Sequence, residues 1–153
     1  MKNFIVLGVI AAFGTGVTIG IQSTLSSRIG SLIGSIRTGL LTNLIGGIIA
    51  GLIVLILYLN QGIESMQIPK NAVIMLVIAG FIGILIITGI SFALQRTGVT
   101  AGIAAVILGQ MLISLIVDTT GWGGVKPIPL DIQRIIGLAV MAAAVLLLLP
   151  RSQ

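Results

Sequence analysis

Long apolar runs separated by short polar stretches dominate the chain. A helix needs about 20 apolar residues to cross the roughly 30 Å hydrocarbon core of a bilayer. The alternating segments of about ten residues that would form strands of a membrane barrel are absent from the sequence. The pattern therefore predicts an all-α, polytopic membrane protein, with one transmembrane domain over residues 1–153. Its expected membrane-crossing helices are about 4–23, 39–59, 72–94, 99–117 and 132–149.

The composition leads to the same class of protein. Hydrophobic residues make up 57% of the chain, charged residues only 7%, and the mean hydropathy is +1.27. A soluble domain has about 25% charged residues, because its surface must face water. This chain lacks the charge for such a surface, so we expect it to lie in the lipid bilayer.

The few reactive residues exclude most enzyme classes. The chain has no cysteine and no histidine, which removes thiolate chemistry, imidazole catalysis and the usual zinc sites. Its acids are Glu64, Asp118 and Asp131, too scattered for a general acid/base pair. The sequence has no Walker A loop, and its basic residues are scattered singly despite a net charge of +5. We therefore expect no enzyme activity, no cofactor, no bound metal and no nucleic-acid partner.

The basic residues divide evenly between the two sides of the membrane if the chain crosses it five times. The N-terminal side receives Lys2, Lys70, Lys126 and Arg134. The opposite side receives Arg28, Arg37, Arg96 and Arg151. Because a Lys/Arg excess normally fixes which side stays in the cytoplasm, the balance predicts insertion in both orientations and an antiparallel homodimer. The alternative is that one strong local charge, such as the α-amino group beside Lys2, fixes a single orientation.

Small residues recur at helical spacing in three of the predicted helices. Such stripes let helix backbones approach closely, which favours association where lipid offers no hydrophobic gain. The positions interpreted as helix-packing sites are Gly16, Gly20, Gly47, Gly51, Gly98, Gly102 and Gly109.

Polar side chains at membrane depth are the best candidates for a substrate cavity. They are Gln22, Ser23, Asn43, Gln110, Ser114 and Asp118. The last three are four residues apart and share one helix stripe, since each step turns only about 40° around the axis. Amides and carboxylates are costly against lipid, so the stripe is expected to face other helices or a watery cavity. The alternative is that these groups only bond neighbouring helices or, for Asp118, stabilise a helix end.

Four motifs, in this order, resemble the YdcZ-type family of small inner-membrane proteins in the drug/metabolite transporter superfamily. They are "GIQSTLSSRIG" at 20–30, "LLTNLIGGI" at 40–48, "GVTAGIAAVILGQMLISLIVDTTG" at 98–121 and "RIIGLAVMAAAVLLLL" at 134–149. The resemblance implies a bacterial inner-membrane protein with five crossings per unit and a transport function. Members of this family occur as dual-topology homodimers, as oppositely oriented pairs and as fused tandem forms. The resemblance also marks Gln22, Asn43, Gln110 and Asp118 as motif positions. One departure is "DTTGW", where members often have a histidine or an aromatic residue soon after the aspartate.

These observations lead to one functional hypothesis and two alternatives. The first is a secondary transporter of a small solute, working as an antiparallel homodimer by alternating access. A passive channel of similar build is the second, because no carboxylate lies in the middle of a helix to couple protons. A non-transporting membrane assembly subunit is the third, because glycine stripes favour association with partners. Nothing in the pattern specifies the substrate.

Overall fold

The computed structural model describes residues 2–61, 68–124 and 126–150, and these form a succession of helices. The elements are α1 (Lys2–Ile33), α2 (Ser35–Gln61), α3 (Lys70–Thr97), α4 (Val99–Thr120), a 3₁₀ turn (Trp122–Gly124) and α5 (Ile132–Leu148). The prediction of an all-α architecture is thus confirmed. Two charges used in the topology argument and in the search for acids, Arg151 and Glu64, lie outside the described residues.

Helices α1 to α4 are each long and apolar enough to cross a membrane. Helix α5 is apolar but has 17 residues, so it is about 25 Å long at 1.5 Å per residue. The hydrocarbon core is roughly 30 Å thick, so α5 falls slightly short of a full crossing by length alone. The structure therefore supports a multi-pass membrane protein with four long spans, and a fifth crossing stays a prediction.

Helix α1 continues to Ile33, well beyond the expected end near residue 23, and α2 begins at Ser35 instead of residue 39. The added part of α1 is rich in serine, which lowers its hydropathy without stopping the helix. Hydroxyl groups there bond back to the helix itself: Thr24 Oγ1 donates to the carbonyl of Gly20 (2.9 Å), and Ser31 Oγ donates to that of Arg28 (2.7 Å). Such internal bonds satisfy polar side chains, and the helix continues through them.

Single glycines connect α1 to α2 and α3 to α4. Gly34 has a φ of 87°, and Gly98 has a φ of 77° with a ψ of 164°. The second conformation is essentially accessible only to glycine. Gly98 donates its N–H to the carbonyl of Leu94 (3.0 Å) and accepts from the N–H of Gly102 (3.1 Å), so hydrogen bonding continues through the turn. Gly98, which the sequence pattern indicates as a packing residue, therefore lies at a helix junction.

The chain divides into two compact units. The α2–α3 unit is Leu25–Phe92, with the end of α1, all of α2 and most of α3. The α4–α5 unit consists of Met1–Thr24 and Ala93–Gln153. The expectation of a single transmembrane domain stays a prediction.

The interior of the α2–α3 unit is partly polar. Ser26, Thr38 and Ser91 are almost completely buried, and Ser91 Oγ donates to the carbonyl of Ser26 (3.0 Å), which ties α3 to α1. A Cβ added at Gly39 would overlap the Thr88 hydroxyl and lie 2.8 Å from the backbone oxygen of Ile84. Helices α2 and α3 therefore approach so closely at Gly39 that a larger residue has no room.

Several buried residues of the α4–α5 unit lie around the start of α4. Leu94 and Ala101 are buried, and a Cβ added at Gly102 would lie 2.6 Å from Leu94 Cδ1. Helix α5 packs along α4. This pairing creates the groove described next.

Candidate functional site

A groove with a volume of about 530 Å³ runs between α4 and α5. Each helix contributes residues spaced three and four apart, which share one helix face. The lining residues are Met111, Ser114, Leu115 and Asp118 from α4, and Arg134, Gly137, Leu138 and Met141 from α5. The groove is mostly apolar, with its two charges at one end.

The charged end is an ion pair between the two helices. Arg134 Nη1 donates to Asp118 Oδ2 at 3.3 Å, and the two side chains are 35% and 38% exposed. Within the described ranges this is the only hydrogen bond that either side chain makes. Asp118 Oδ1 and the remaining guanidinium N–H groups are thus available to a third group.

The chain reversal between α4 and α5 brings these charges together. Gly121 ends α4 in the left-handed conformation (φ 71°), with its N–H bonded to the carbonyl of Val117. The N–H of Ile128 returns to the carbonyl of Asp118 at 2.7 Å. Asp131 then caps α5 by accepting from the N–H of Gln133 (3.4 Å). These contacts place the first turn of α5 beside the last turn of α4.

Neither charge is placed to stabilise its own helix. Asp118 lies in the last turn of α4, where the helix dipole disfavours an anion, and Arg134 lies in the first turn of α5, where it disfavours a cation. Each unfavourable position costs about 0.3–1 kcal/mol at an exposed site. The ion pair offsets this cost, but helix stability alone does not explain why the charges are there.

The structure brings Ser114 and Asp118, two of the sequence candidates, into this groove together with Arg134. From the sequence alone, Arg134 is a topological charge and the first residue of the fourth motif, but not a predicted site residue. The available signal was that Arg134 carries a charge opposite to that of Asp118 and stands at the other end of a glycine- and proline-rich connection. Gly137 and the two methionines carried no such signal, because they resemble ordinary membrane-helix residues.

Gln110 is exposed and does not line the groove. At 100° per residue its side chain lies about 90° around α4 from the centre of the groove-lining face. Its role in a cavity therefore stays a prediction, and the groove itself does not use it.

The remaining candidates lie elsewhere. Gln22 is exposed on α1, and the neighbouring Ser23 is buried. Asn43, in the α2–α3 unit, donates its Nδ2 to the carbonyl of Gly39 (2.8 Å), and its Oδ1 would lie 3.1 Å from a Cβ added at Gly83. Asn43 thus forms a hydrogen bond within its own helix, and none of these three residues lines the groove.

The glycines proposed for packing differ in their surroundings. Only Gly102 of the seven has a neighbour within 4 Å of an added Cβ. Gly39, which also has such neighbours, was not predicted from the sequence as a packing site, because it stands at the beginning of the apolar run. Open space surrounds the other six, which are Gly16, Gly20, Gly47, Gly51, Gly98 and Gly109. For those inside helices, close packing against a second chain stays a prediction.

In a comparison with protein families, residues 7–147 match the family described as "Putative inner membrane exporter, YdcZ". No curated protein and no solved structure matches the chain. The family match confirms the resemblance seen in the sequence motifs and the expected location in the inner membrane, and its description is that of a transporter rather than an enzyme. Since the match covers almost the whole chain, the protein belongs to the YdcZ family of inner-membrane proteins.

Proposed function

We propose that this protein is a secondary transporter that exports a small solute as an antiparallel, dual-topology homodimer, by alternating access. The observation that carries the proposal is the α4–α5 groove, in which an ion pair stands at the end of an apolar wall. The remaining hydrogen-bonding groups of the pair have no partner within the part of the chain that the structure describes. Its volume lies within the roughly 300–1,000 Å³ typical of small-molecule sites. The family description supports export as the direction.

The position of the groove along α4 fits a transport path. Asp118 is two residues from the end of α4, and Met111 lies nine residues from that end. At 1.5 Å per residue the groove reaches about 14 Å along the helix, close to half of a roughly 30 Å hydrocarbon core. One chain therefore offers a path from one membrane surface to about the midplane. An inverted second chain would offer the matching path from the other surface.

The charge balance supports the inverted arrangement. Four basic residues fall on each side if α5 crosses the membrane, so neither orientation has a Lys/Arg excess. The ion pair of Arg134 with Asp118 does not alter this balance, because acidic residues contribute little to topology. Both orientations are therefore expected from a single gene product.

The test is solute exchange by the purified protein in liposomes, screened with a broad panel of metabolites and cations. We expect saturable exchange that Asp118→Asn reduces and Asp131→Asn leaves unchanged, because Asp131 is outside the groove and caps α5. Absence of exchange for every solute would contradict the proposal. Uncoupled flux above about 10⁵ ions per second would identify a channel instead, because carriers turn over at enzyme-like rates of roughly 1–10³ per second.

A further inference from the structure

We infer that the α4–α5 groove selects a zwitterionic amphiphile, a molecule with a cationic and an anionic group at one end of an apolar body. The inference rests on the proposed function, because it names the substrate class of the same groove.

The charges at the groove end disfavour both a simple cation and a simple anion. Asp118 and Arg134 carry opposite charges and sum to zero, so a simple cation is attracted by one and repelled by the other, and the same holds for a simple anion. A zwitterion avoids this conflict, since its anionic group can bind Arg134 while its cationic group binds Asp118. The four charges then alternate in sign around the site.

The ion pair retains hydrogen-bonding capacity for a ligand. The pair is joined through one nitrogen and one oxygen, at 3.3 Å. A guanidinium has five N–H donors, and a carboxylate has two accepting oxygens, so both groups can hold a ligand without giving up their mutual contact. Charge-assisted hydrogen bonds are roughly twice as strong as neutral ones, which favours charged ligand groups over neutral polar groups here.

An apolar wall leads away from the ion pair. Met111, Leu115, Leu138 and Met141 line it, and unbranched methionine side chains adapt to apolar ligands of different shape. Gly137 leaves room on the α5 side, with nothing within 4 Å of an added Cβ. Ser114 is exposed, and within the described ranges its hydroxyl makes no hydrogen bond. It can bind a polar atom next to the head group.

Photo-crosslinking tests the inference on the full-length protein in nanodiscs. Three probes share one diazirine-bearing alkyl chain and carry a zwitterionic sulfobetaine, a cationic trimethylammonium or an anionic sulfate head group. We expect the zwitterionic probe to label residues 111–141 about fivefold more than either other probe, the ratio for one contact of about 1 kcal/mol. Equal labelling by the three probes would overturn the inference.

Three variants locate the labelling. Gly137→Leu fills the groove and should abolish the preference for the zwitterion, whereas Gly46→Leu changes an exposed glycine of α2 outside the groove and should preserve it. The charge exchange of Asp118→Arg with Arg134→Asp retains both charges and should retain the preference. If Gly137→Leu labels like the unmodified protein, or if the charge exchange removes the preference, the groove is not the selective site.

Competition experiments distinguish the two possible sources of a zwitterion, a membrane lipid and a soluble solute. Weaker labelling in phosphatidylethanolamine than in phosphatidylglycerol nanodiscs would identify a lipid, and weaker labelling with soluble leucine would identify a free solute. Competition by neither would overturn the inference. Because labelling requires no transport, loss of selectivity in a protein that still exchanges solutes would reject the inference and leave the proposed function standing.

Discussion

Gly39 provides the sharpest test of how α2 meets α3. Its substitution by alanine would place a Cβ on the Thr88 hydroxyl and 2.8 Å from the Ile84 backbone oxygen. A hydroxyl can rotate away, but a backbone carbonyl in a helix moves only with the helix. We therefore expect Gly39→Ala to push α2 and α3 apart.

The expected cost follows from comparison with Gly46→Ala, because nothing lies within 4 Å of a Cβ at Gly46. Both substitutions gain about 1 kcal/mol of helix propensity. Over-packing a close contact costs about 1–3 kcal/mol, and this term acts only at Gly39. The free energy of unfolding of Gly39→Ala should therefore lie about 1–3 kcal/mol below that of Gly46→Ala.

Reversible unfolding in mixed micelles, titrated with dodecyl sulfate and followed by circular dichroism, measures this difference. Adding Thr88→Ala to Gly39→Ala removes the hydroxyl overlap but leaves the Ile84 carbonyl, so the double variant should recover only part of the loss. Equal stability of Gly39→Ala and Gly46→Ala would refute the close approach of α2 and α3 at this residue.

Three further predictions address the junction, the candidate site and the topology. Gly98→Ala should lower the free energy of unfolding by about 1–3 kcal/mol because of its backbone conformation, whereas Gly109→Ala in the same unit should not; equal unfolding curves would contradict this. Gln110 lies outside the α4–α5 groove, but the cavity between two inverted chains predicted from the sequence would include it. Gln110→Ala should then leave a folded protein and lower liposome exchange about tenfold, as for a lost ligand contact of about 1.4 kcal/mol. Asp118→Asn should lower both stability and exchange. Normal exchange by Gln110→Ala would remove Gln110 from the cavity. Adding two or three lysines near one terminus should fix the orientation and make activity depend on an oppositely biased copy; a cysteine at Ser152 that labels from one side only in the otherwise unmodified protein would contradict dual insertion.

The helices could be predicted from the sequence because lipid imposes a strong requirement on apolar length. The extension of α1 could not, since hydropathy describes side-chain transfer, while Thr24 and Ser31 satisfy their hydroxyls inside the helix. Spacing alone grouped Ser114 with Asp118. The pairing of Arg134 with Asp118 depends on how Gly121 and Asp131 orient two helix ends across a long connection. Residue spacing within a helix does not predict that geometry.

The single-residue links at Gly34 and Gly98 constrain how the chain enters the bilayer during synthesis. A connection of one residue leaves no loop between the two helices of a pair, so the second helix is expected to follow the first directly into the membrane. Helices α1 and α2, and likewise α3 and α4, should then insert as pairs. In the proposed dual-topology arrangement, the orientation would be chosen once per pair at the translocon, not separately for every helix.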